Sequence, residues 1–232
     1  RKTEKTYWDQ GYGRKQSVTP VDLSPALNRV DRRFADIFHN LRLAGKKILE
    51  IGGGGSAWLA RLTLDHPDAS LTCLDYAPQG CSLMHSFVAE TGVSNLNIVQ
   101  ADMSDGPSSG DRFDIVYSLG VVEHFDQLEN ALMAKANFLS PNGKMLTVIP
   151  NLSGSIGFLV KHLNRSIYAI HVPHDLASFR KGHELAGLKI EESGYLGSNG
   201  FGVISGCFEK PEGFGYYIYV WLSRLTKLLS MF

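Results

Sequence analysis

The sequence predicts an α/β fold in which helices cover both faces of a doubly wound, mostly parallel sheet of seven strands. Short apolar runs alternate with helical patterns along most of the chain, and four consecutive glycines at positions 52–55 follow the first run. Asp75 and Asp102 each end one of the next two runs. Because parallel strands end at the same edge of a sheet, these carboxylates should meet beside the glycines, where such sheets bind ligands.

Length and composition are those of a single globular domain. The 232 residues include 23 basic and 23 acidic side chains, so no excess of positive charge favours a nucleic-acid partner. Cys73, Cys81 and Cys207 match no zinc-binding spacing and fit buried, reduced thiols. No apolar run reaches the ~18 residues of a membrane span, and no secretory signal is visible. We therefore expect a cytoplasmic protein.

Residues 1–45 are predicted to form an arm and a helix that precede the sheet. The segment 7–13 holds aromatic residues and glycines without a clear period, which leaves two interpretations. It is either a surface arm packed on the core or a mobile flap that closes Trp8 or Tyr12 over a ligand. Ser24-Pro25 is typical of a helix start, and apolar residues then recur at spacings of three and four until about Asn40.

Residues 46–150 carry the regular alternation of strands and helices. The predicted strands are 48–51, 71–75, 97–102, 113–118 and 144–149. The predicted helices are 58–66, 77–90 and a third that runs through Leu139. Asp126 and Glu129 form a capping-box-like start for that third helix. Pro141-Asn142-Gly143 should then turn the chain into the fifth strand.

The rest of the chain departs from this rhythm. Residues 151–180 are predicted to be an irregular insertion over the ligand site, followed by a helix at 178–186. Within 181–210, the runs 188–190 and 201–208 are the predicted sixth and seventh strands. Residues 214–232 have the pattern of an amphipathic helix with Arg224 and Lys227 opposite its apolar face. This tail docks on the body, docks on a sister subunit in a homodimer, or lies peripherally on a membrane surface.

The glycine turn predicts a socket for the polar part of a nucleotide-like ligand, because the backbone can approach closely and the next helix offers free N–H groups. Gly52, Gly54 and Ala57 also match the dinucleotide pattern, and Asp75 could hold ribose hydroxyls in either ligand class. However, the chain contains no Tyr-x-x-x-Lys pair and is too short for a separate substrate domain. Both facts disfavour a nicotinamide-dependent dehydrogenase.

The residues at the strand ends resemble those of the class I S-adenosylmethionine-dependent methyltransferases. The stretch Leu49-Glu50-Ile51-Gly52-Gly53-Gly54-Gly55-Ser56 is similar to the first motif of that family, in which an acid stands two residues before Gly-x-Gly. The resemblance covers residues 46–150 well and 178–208 in outline. It implies a Rossmann-like methyltransferase fold, S-adenosyl-L-methionine as the cofactor and S-adenosyl-L-homocysteine as its product.

The same resemblance implies which residues bind the donor. These are Glu50 near the methionine amino group, Gly52 and Gly54 against the methionyl and ribose portions, Asp75 on the ribose hydroxyls, Tyr76 beside the adenine, Asp102 at the adenine amino group, Met103 lining the base, and Ser118 at the methionine end. Ser56 stands where many members carry a third glycine, and its hydroxyl can cap the helix.

Three histidines are the candidate catalytic residues. Methyl transfer from a sulfonium is an in-line displacement that needs alignment and exclusion of water, and a hydroxyl acceptor can also require a base. His124 follows the fourth strand, and His171 and His174 lie in the insertion. The alternatives are that His124 orders its loop, and that the other two have surface or capping roles. The sequence does not choose between His124 and His171.

We predict no metal site. In ubiquinone-pathway O-methyltransferases a stretch similar to Glu-Val-x-Glu-His binds a divalent metal, but here Gly120 stands at the position of its first acid, ahead of Glu123 and His124. His171 and His174 have no second ligand pair at a suitable spacing. The expected activity is methyl transfer to a hydroxyl of a small molecule or glycan. The alternatives are N-methylation of a small molecule and a methyltransferase-fold binding module without activity.

Overall fold

The computed structural model describes residues 1–24, 29–108, 110–197, 207 and 212–229. Five parallel strands form one sheet in the order β3-β2-β1-β4-β5. The strands are β1 (Lys47–Ile51), β2 (Ser70–Asp75), β3 (Leu96–Gln100), β4 (Phe113–Leu119) and β5 (Leu139–Val148). Because β1 lies in the middle and the order reverses between β1 and β4, the crevice of this sheet opens at the carboxyl end of β1.

Nine described helices surround and extend the sheet. They are α1 (Lys5–Tyr12), α2 (Arg29–Leu41), α3 (Ala57–Asp65), α4 (Pro78–Thr91), α5 (Leu128–Ala136), α6 (Ser155–Leu163), α7 (Arg165–Ala169), α8 (Leu176–Leu185) and α9 (Phe214–Leu229). Two short 3₁₀ turns, Met103–Asp105 and Val122–His124, follow β3 and β4. The predicted irregular insertion therefore contains two helices, α6 and α7.

Neighbouring strand residues feed two separate cores, one on each face of the sheet. Ile48 and Tyr117 pack with Phe38 of α2 in the first core, whereas Leu49 and Val116 pack with Leu132 of α5 in the second. This alternation is what a parallel sheet covered on both faces requires. A smaller third cluster, built on Leu152, Val160 and Cys207, lies under α6.

The predicted sixth strand is wrong, and the sheet has five strands among the described residues instead of seven. Residues 188–190 follow the end of α8, where Gly187 adopts a left-handed conformation with φ of 76°. The Leu188 N–H donates to the His183 carbonyl at 3.0 Å, and the Leu188 side chain packs on the second core. Since that amide terminates a helix, it is not available for a sheet ladder. The predicted seventh strand, 201–208, lies outside the described residues except for Cys207.

Two predicted local features also differ. Helix α5 begins after Gln127 without a side-chain cap, so the capping box at Asp126 and Glu129 is wrong. The expected turn at Pro141-Asn142-Gly143 is present as an irregularity inside β5, where the register against β4 shifts and Asn142 has a φ of 64°. The predicted helix start at Ser24-Pro25 continues into residues 25–28, which lie outside the described residues.

Candidate functional site

The glycine turn after β1 has the shape that the sequence predicted. Gly52 has a φ of 73°, and its N–H and that of Gly53 both donate to the Leu74 carbonyl, at 2.8 and 3.3 Å. A Cβ on Gly54 would lie 2.5 Å from an Asp75 carboxylate oxygen and 2.8 Å from the Gly80 Cα atom. Only glycine fits there, because β1, β2 and the start of α4 converge on this point.

Asp75 is bound tightly at the end of β2. Its carboxylate accepts hydrogen bonds from the Gly54 N–H at 2.8 Å, the Ala77 N–H at 2.8 Å and the Tyr12 hydroxyl at 3.1 Å. Burial raises the pKa of this carboxyl, although all three donors act to lower it. Asp75 thus fixes the glycine turn to α4 and still faces the cavity described below.

Glu50 is beside the turn but does not line the cavity. It is 2% exposed, and its two carboxylate oxygens accept from the Tyr117 hydroxyl at 2.6 Å and the Ser56 hydroxyl at 3.0 Å. Burial raises its pKa to about 7. The Ser56 hydroxyl also accepts from the Leu59 N–H at 3.1 Å and caps α3, as the sequence predicted. Glu50 therefore supports the turn from behind.

Ser118 is also behind the cavity. It is fully buried, and its hydroxyl accepts a hydrogen bond at 2.8 Å from the ammonium of Lys135. That ammonium also donates to the Leu146 carbonyl at 2.7 Å and the Thr147 hydroxyl at 2.9 Å. Burial drives the pKa of Lys135 well below its usual value. Sequence reasoning missed this buried cation, because a single lysine in a helical pattern gives no sign that it faces the sheet.

A cavity of about 100 Å³ opens at the carboxyl ends of the strands. The first side of its wall consists of residues near β1, β2 and β3, namely Ile51, Gly52, Leu74, Asp75, Tyr76, Asp102 and Met103. The second side follows β4 and consists of Leu119, Gly120, Val121, His124 and Phe125. Five predicted donor-binding residues (Gly52, Asp75, Tyr76, Asp102 and Met103) and one predicted catalytic residue, His124, therefore share one cavity.

The N-terminal arm fills the remainder of this crevice. Arg1, Thr3, Trp8 and Tyr12 line the cavity from the open side. The Arg1 guanidinium donates to both oxygens of Asp102, at 2.6 and 2.7 Å, and lies 4.6 Å from the ring centroids of Tyr76 and Phe125. Burial pushes the pKa of Asp102 upward, but the hydrogen bonds from Arg1 and the Ser104 N–H outweigh it, so the pKa lies below its usual value.

His124, in the cavity wall, contacts His171, which does not line the cavity itself. Their ring centroids are 4.5 Å apart, and the ring centroid of Trp8 lies 5.2 Å from that of His124 in an edge-to-face arrangement. Nδ1 of His124 bonds the Ile170 carbonyl and Nδ1 of His171 bonds the Ile167 carbonyl, both at 2.7 Å. Because a carbonyl only accepts, each Nδ1 carries a proton, and each neutral ring keeps a free lone pair on Nε2. Burial lowers the pKa of His124 to about 4 and also lowers that of His171.

Glu123 completes a cluster that the sequence did not reveal. One of its carboxylate oxygens lies 4.0 Å from Nε2 of His124, and the other is buried without a hydrogen-bond partner among the described residues. Burial raises the pKa of Glu123 to about 8. Ligand atoms of Glu123, His124 and His171 all lie within 4.8 Å of one another. This set of acceptor atoms could hold a divalent cation or share a proton.

The third candidate histidine stands apart. His174 is neither in the cavity wall nor in the cluster, and its Nε2 atom is buried without a hydrogen-bond partner in the described part of the chain. The prediction of no metal considered Gly120 and the spacing of His171 and His174 alone. It did not foresee that His171 would join Glu123 and His124 from a different segment, since no sequence signal links positions 47 or 48 residues apart.

Known proteins similar to this chain share the methyltransferase description. A family profile described as a methyltransferase domain matches residues 48–143. Ubiquinone biosynthesis O-methyltransferase of Azorhizobium caulinodans is 31% identical over 131 residues, which are 56% of this chain and 51% of that protein. The enzyme of the same name from Xanthomonas euvesicatoria is 29% identical over 184 residues, 74% of each chain.

Solved structures extend the similarity to the fold. The crystal structure of magnesium protoporphyrin IX methyltransferase from Synechocystis PCC 6803 with bound SAM has a TM-score of 0.54 and 16% identity, and the match covers 73% of this chain and 72% of that one. At this identity the likeness shows the fold alone. The chain spans about half the length of most of the curated relatives that it matches.

Proposed function

We propose that this chain is a class I S-adenosylmethionine-dependent methyltransferase, which the profile match over residues 48–143 supports, and that it transfers a methyl group from S-adenosylmethionine to a hydroxyl oxygen of a small molecule or glycan. In this proposal residues 46–150 bind the donor and residues 151–180 cover the acceptor. The observation that carries it is the convergence of Asp75, Asp102 and His124 on one cavity at the switch point of the sheet.

The chemistry of the arm's contacts supports the donor site. A hydroxyl, that of Tyr12, donates to Asp75, which is the interaction that a ribose hydroxyl would make. A planar N–H donor, the Arg1 guanidinium, bonds Asp102 and lies against two aromatic rings, as the amino edge of an adenine would. The remaining cavity is smaller than the roughly 300 Å³ at which ligand pockets begin, so Arg1 and Tyr12 have to withdraw when the donor binds.

The donor supplies a methyl group already activated on a sulfonium. The acceptor hydroxyl gives its proton to a free Nε2 lone pair, that of His124 or that of His171. Its oxygen forms the new bond to the methyl carbon, and the electron pair of the breaking C–S bond stays on sulfur, which leaves a neutral thioether. Above about pH 8, where Glu123 is ionised, its carboxylate, 4.0 Å from Nε2 of His124, stabilises the imidazolium that results. The apolar wall formed by Met103, Val121 and Phe125 helps to exclude water from this step.

The cluster also fits a divalent cation, which Glu123, His124 and His171 would hold and which would make an acceptor hydroxyl more acidic. The names of the two ubiquinone O-methyltransferases support oxygen as the methylated atom. The alternatives remain an amine acceptor, which needs no base, and a binding module without activity. Metal analysis of the purified protein, together with activity measured before and after a chelator, distinguishes a mechanism that uses a bound divalent cation from one that uses a histidine base.

Donor binding is tested by calorimetric titration with S-adenosylmethionine and with S-adenosylhomocysteine. We expect both to bind, and Asp75→Asn to weaken each by about 10- to 100-fold, because hydrogen bonds to a charged group are lost. Asp68→Asn is the control, since Asp68 is exposed, does not line the cavity and lies before the start of β2, at the other end of that strand from Asp75. Absence of heat with either nucleoside would contradict the proposal and favour the binding module.

The acceptor is tested by a screen with a methyl-labelled donor against phenols, glycans and amines. Once an acceptor is found, His124→Ala and His171→Ala should each slow turnover, whereas His85→Ala, an exposed residue of α4, should not. Transfer to an amine that neither substitution slows would support N-methylation instead. Product mapping by mass spectrometry identifies the methylated atom.

A further inference from the structure

Large apolar side chains are exposed on two helices outside the cavity. Phe158 and Leu163 of α6 and Tyr217, Ile218 and Trp221 of α9 are between 42% and 64% exposed. On α9, the residues 217, 221 and 224 recur at helical spacing, so two aromatic side chains and a cation lie along one exposed face. A helix of a water-soluble surface normally presents polar residues in these positions.

The two helices belong to one structural unit. Val160 of α6 is fully buried in the third cluster, and Tyr219 of α9 packs against the same cluster. Helix α9 therefore directs Tyr219 toward the protein and its neighbour Trp221 away from it. The exposed residues of α9 are not the face that packs on the rest of the protein, because α9 makes that contact through Tyr219 on its opposite side. We call Phe158, Leu163, Tyr217, Ile218 and Trp221 the α6–α9 surface.

The charged side chains within the two segments that carry this surface have one sign. Residues 151–174 and 214–232 contain no aspartate or glutamate, although the whole chain has 23 acidic residues and no net charge. Lys161, Arg165 and Arg224 are all exposed there. Aromatic and aliphatic side chains bordered by cations are the composition of helices that lie in the interface of an anionic membrane.

We propose that the α6–α9 surface binds the interface of an anionic lipid bilayer, with α9 lying in the membrane plane. None of the described helices is long and apolar enough to span a membrane, so the contact is with one leaflet. A second copy of the chain is a poorer occupant, because a two-fold contact would bring the same cations together, and neither segment supplies an acid to pair them. The proposal does not depend on methyl transfer. If the chain does transfer methyl groups, the segment from α6 to His171 connects the proposed membrane contact with the cluster of Glu123, His124 and His171.

The test is vesicle flotation of the full chain. The vesicles contain phosphatidylcholine alone or phosphatidylcholine mixed with phosphatidylserine. We expect the protein to float with the anionic vesicles only, and to be released by high salt because exposed charges are screened. Trp221→Ser should lower the membrane partition constant by about tenfold. Arg224→Glu should lower it by about 25-fold, since each cation near an anionic surface contributes about fivefold and charge reversal acts twice.

Matched controls keep the result specific. Leu64→Ser removes an exposed apolar side chain from α3, a helix whose other side packs in the first core, and Arg32→Glu reverses an exposed charge on α2. Neither should change flotation. Failure of the unaltered chain to float with anionic vesicles overturns the proposal. A dimer in light scattering that Trp221→Ser dissociates, without flotation, would assign this surface to a second copy instead.

Discussion

The two sides of the cavity, which we assign to the donor and to the acceptor, are built differently. On the donor side, Asp75 bonds the N–H groups of Gly54 and Ala77, so strand ends and the following helices hold the site through backbone contacts. On the acceptor side, His124 and Glu123 are held by the carbonyl of Ile170 and the N–H of Val172, which lie more than forty residues away in sequence. The first arrangement is local in sequence, whereas the second depends on how an insertion docks.

This difference predicts how each side responds to substitution. A change at the donor side should affect folding and binding together, because the same contacts serve both. A change at the acceptor side should affect turnover with little effect on donor affinity. The predictions below test this contrast, beginning with the largest effect.

Gly54→Ala should abolish donor binding and destabilise the protein by about 3 kcal/mol or more, because the new Cβ would collide with Asp75 and Gly80. Thermal denaturation and donor titration measure the two effects. Gly194→Ala is the control, since nothing lies within 4 Å of a Cβ there and its backbone is not left-handed. A Gly54→Ala variant that loses donor binding but keeps its stability, or loses stability but still binds the donor, would show that folding and binding are not coupled at the turn.

His124→Ala and His171→Ala should each lower turnover by about 100-fold or more while donor affinity stays within about twofold. Their combined effect should be smaller than the product of the two, because both histidines belong to one cluster. A double-mutant cycle measures this: turnover and donor affinity are determined for the two single variants and for the double variant. Strictly multiplicative losses would mean that the two rings act independently.

Glu50→Gln should give opposite results for stability and donor affinity. The pKa of Glu50 is raised to about 7 in the folded protein, so the folded state retains a proton that the unfolded chain has lost. Stability contributed by this group is therefore present below about pH 4.5 and lost as the pH rises through 7. The variant should be more stable than the parent at pH 8, by on the order of 2 kcal/mol, and no more stable at pH 4.

Denaturant unfolding at the two pH values measures this effect, with Glu90→Gln, an exposed residue of α4, as the control. Donor affinity should fall in the Glu50 variant, because the resemblance places this acid near the methionine amino group. Equal stability changes at pH 4 and pH 8 would contradict the raised pKa.

Tyr12→Phe should have the smallest effect on donor affinity, and unlike the other donor-side substitutions it should raise that affinity. Removing the hydroxyl that bonds Asp75 frees a carboxylate that the donor needs, so donor affinity should rise by about threefold. Tyr7→Phe, on the exposed side of α1, should leave the affinity unchanged. Calorimetric titration measures both variants. A weaker affinity in Tyr12→Phe would mean that this hydroxyl binds the donor directly.

The same contrast explains what the sequence could predict. The five strands, the glycine turn and the meeting of Asp75 with Asp102 follow from local patterns that also determine the backbone contacts. Glu50 and Ser118 were predicted as donor-binding residues, yet both side chains bond other protein groups behind the cavity. A strand pattern gives the order of residues but does not say which face of the strand end opens to the crevice.

The acceptor side was predictable only in part. His124 and His171 were both candidates, but their contact and the role of Glu123 depend on the docking of α7 and the residues after it. The sixth strand was predicted from two apolar residues around Lys189. In the structure the Leu188 N–H instead bonds the His183 carbonyl at the end of α8, so it is not available to a neighbouring strand. The arm was assigned either to the surface or to a flap, and its contacts with Asp75 and Asp102 place it over the cavity.

Chemical labelling of Lys135 can report how often helix α5 separates from the sheet. An amine with no exposed surface, held by three acceptors between α5 and β5, cannot meet an acylating reagent while the sheet is closed. Its modification, read by mass spectrometry against that of exposed Lys46, therefore counts how often this face of the sheet separates from its helix. Ligands that slow this labelling would be recognised without any enzymatic assay.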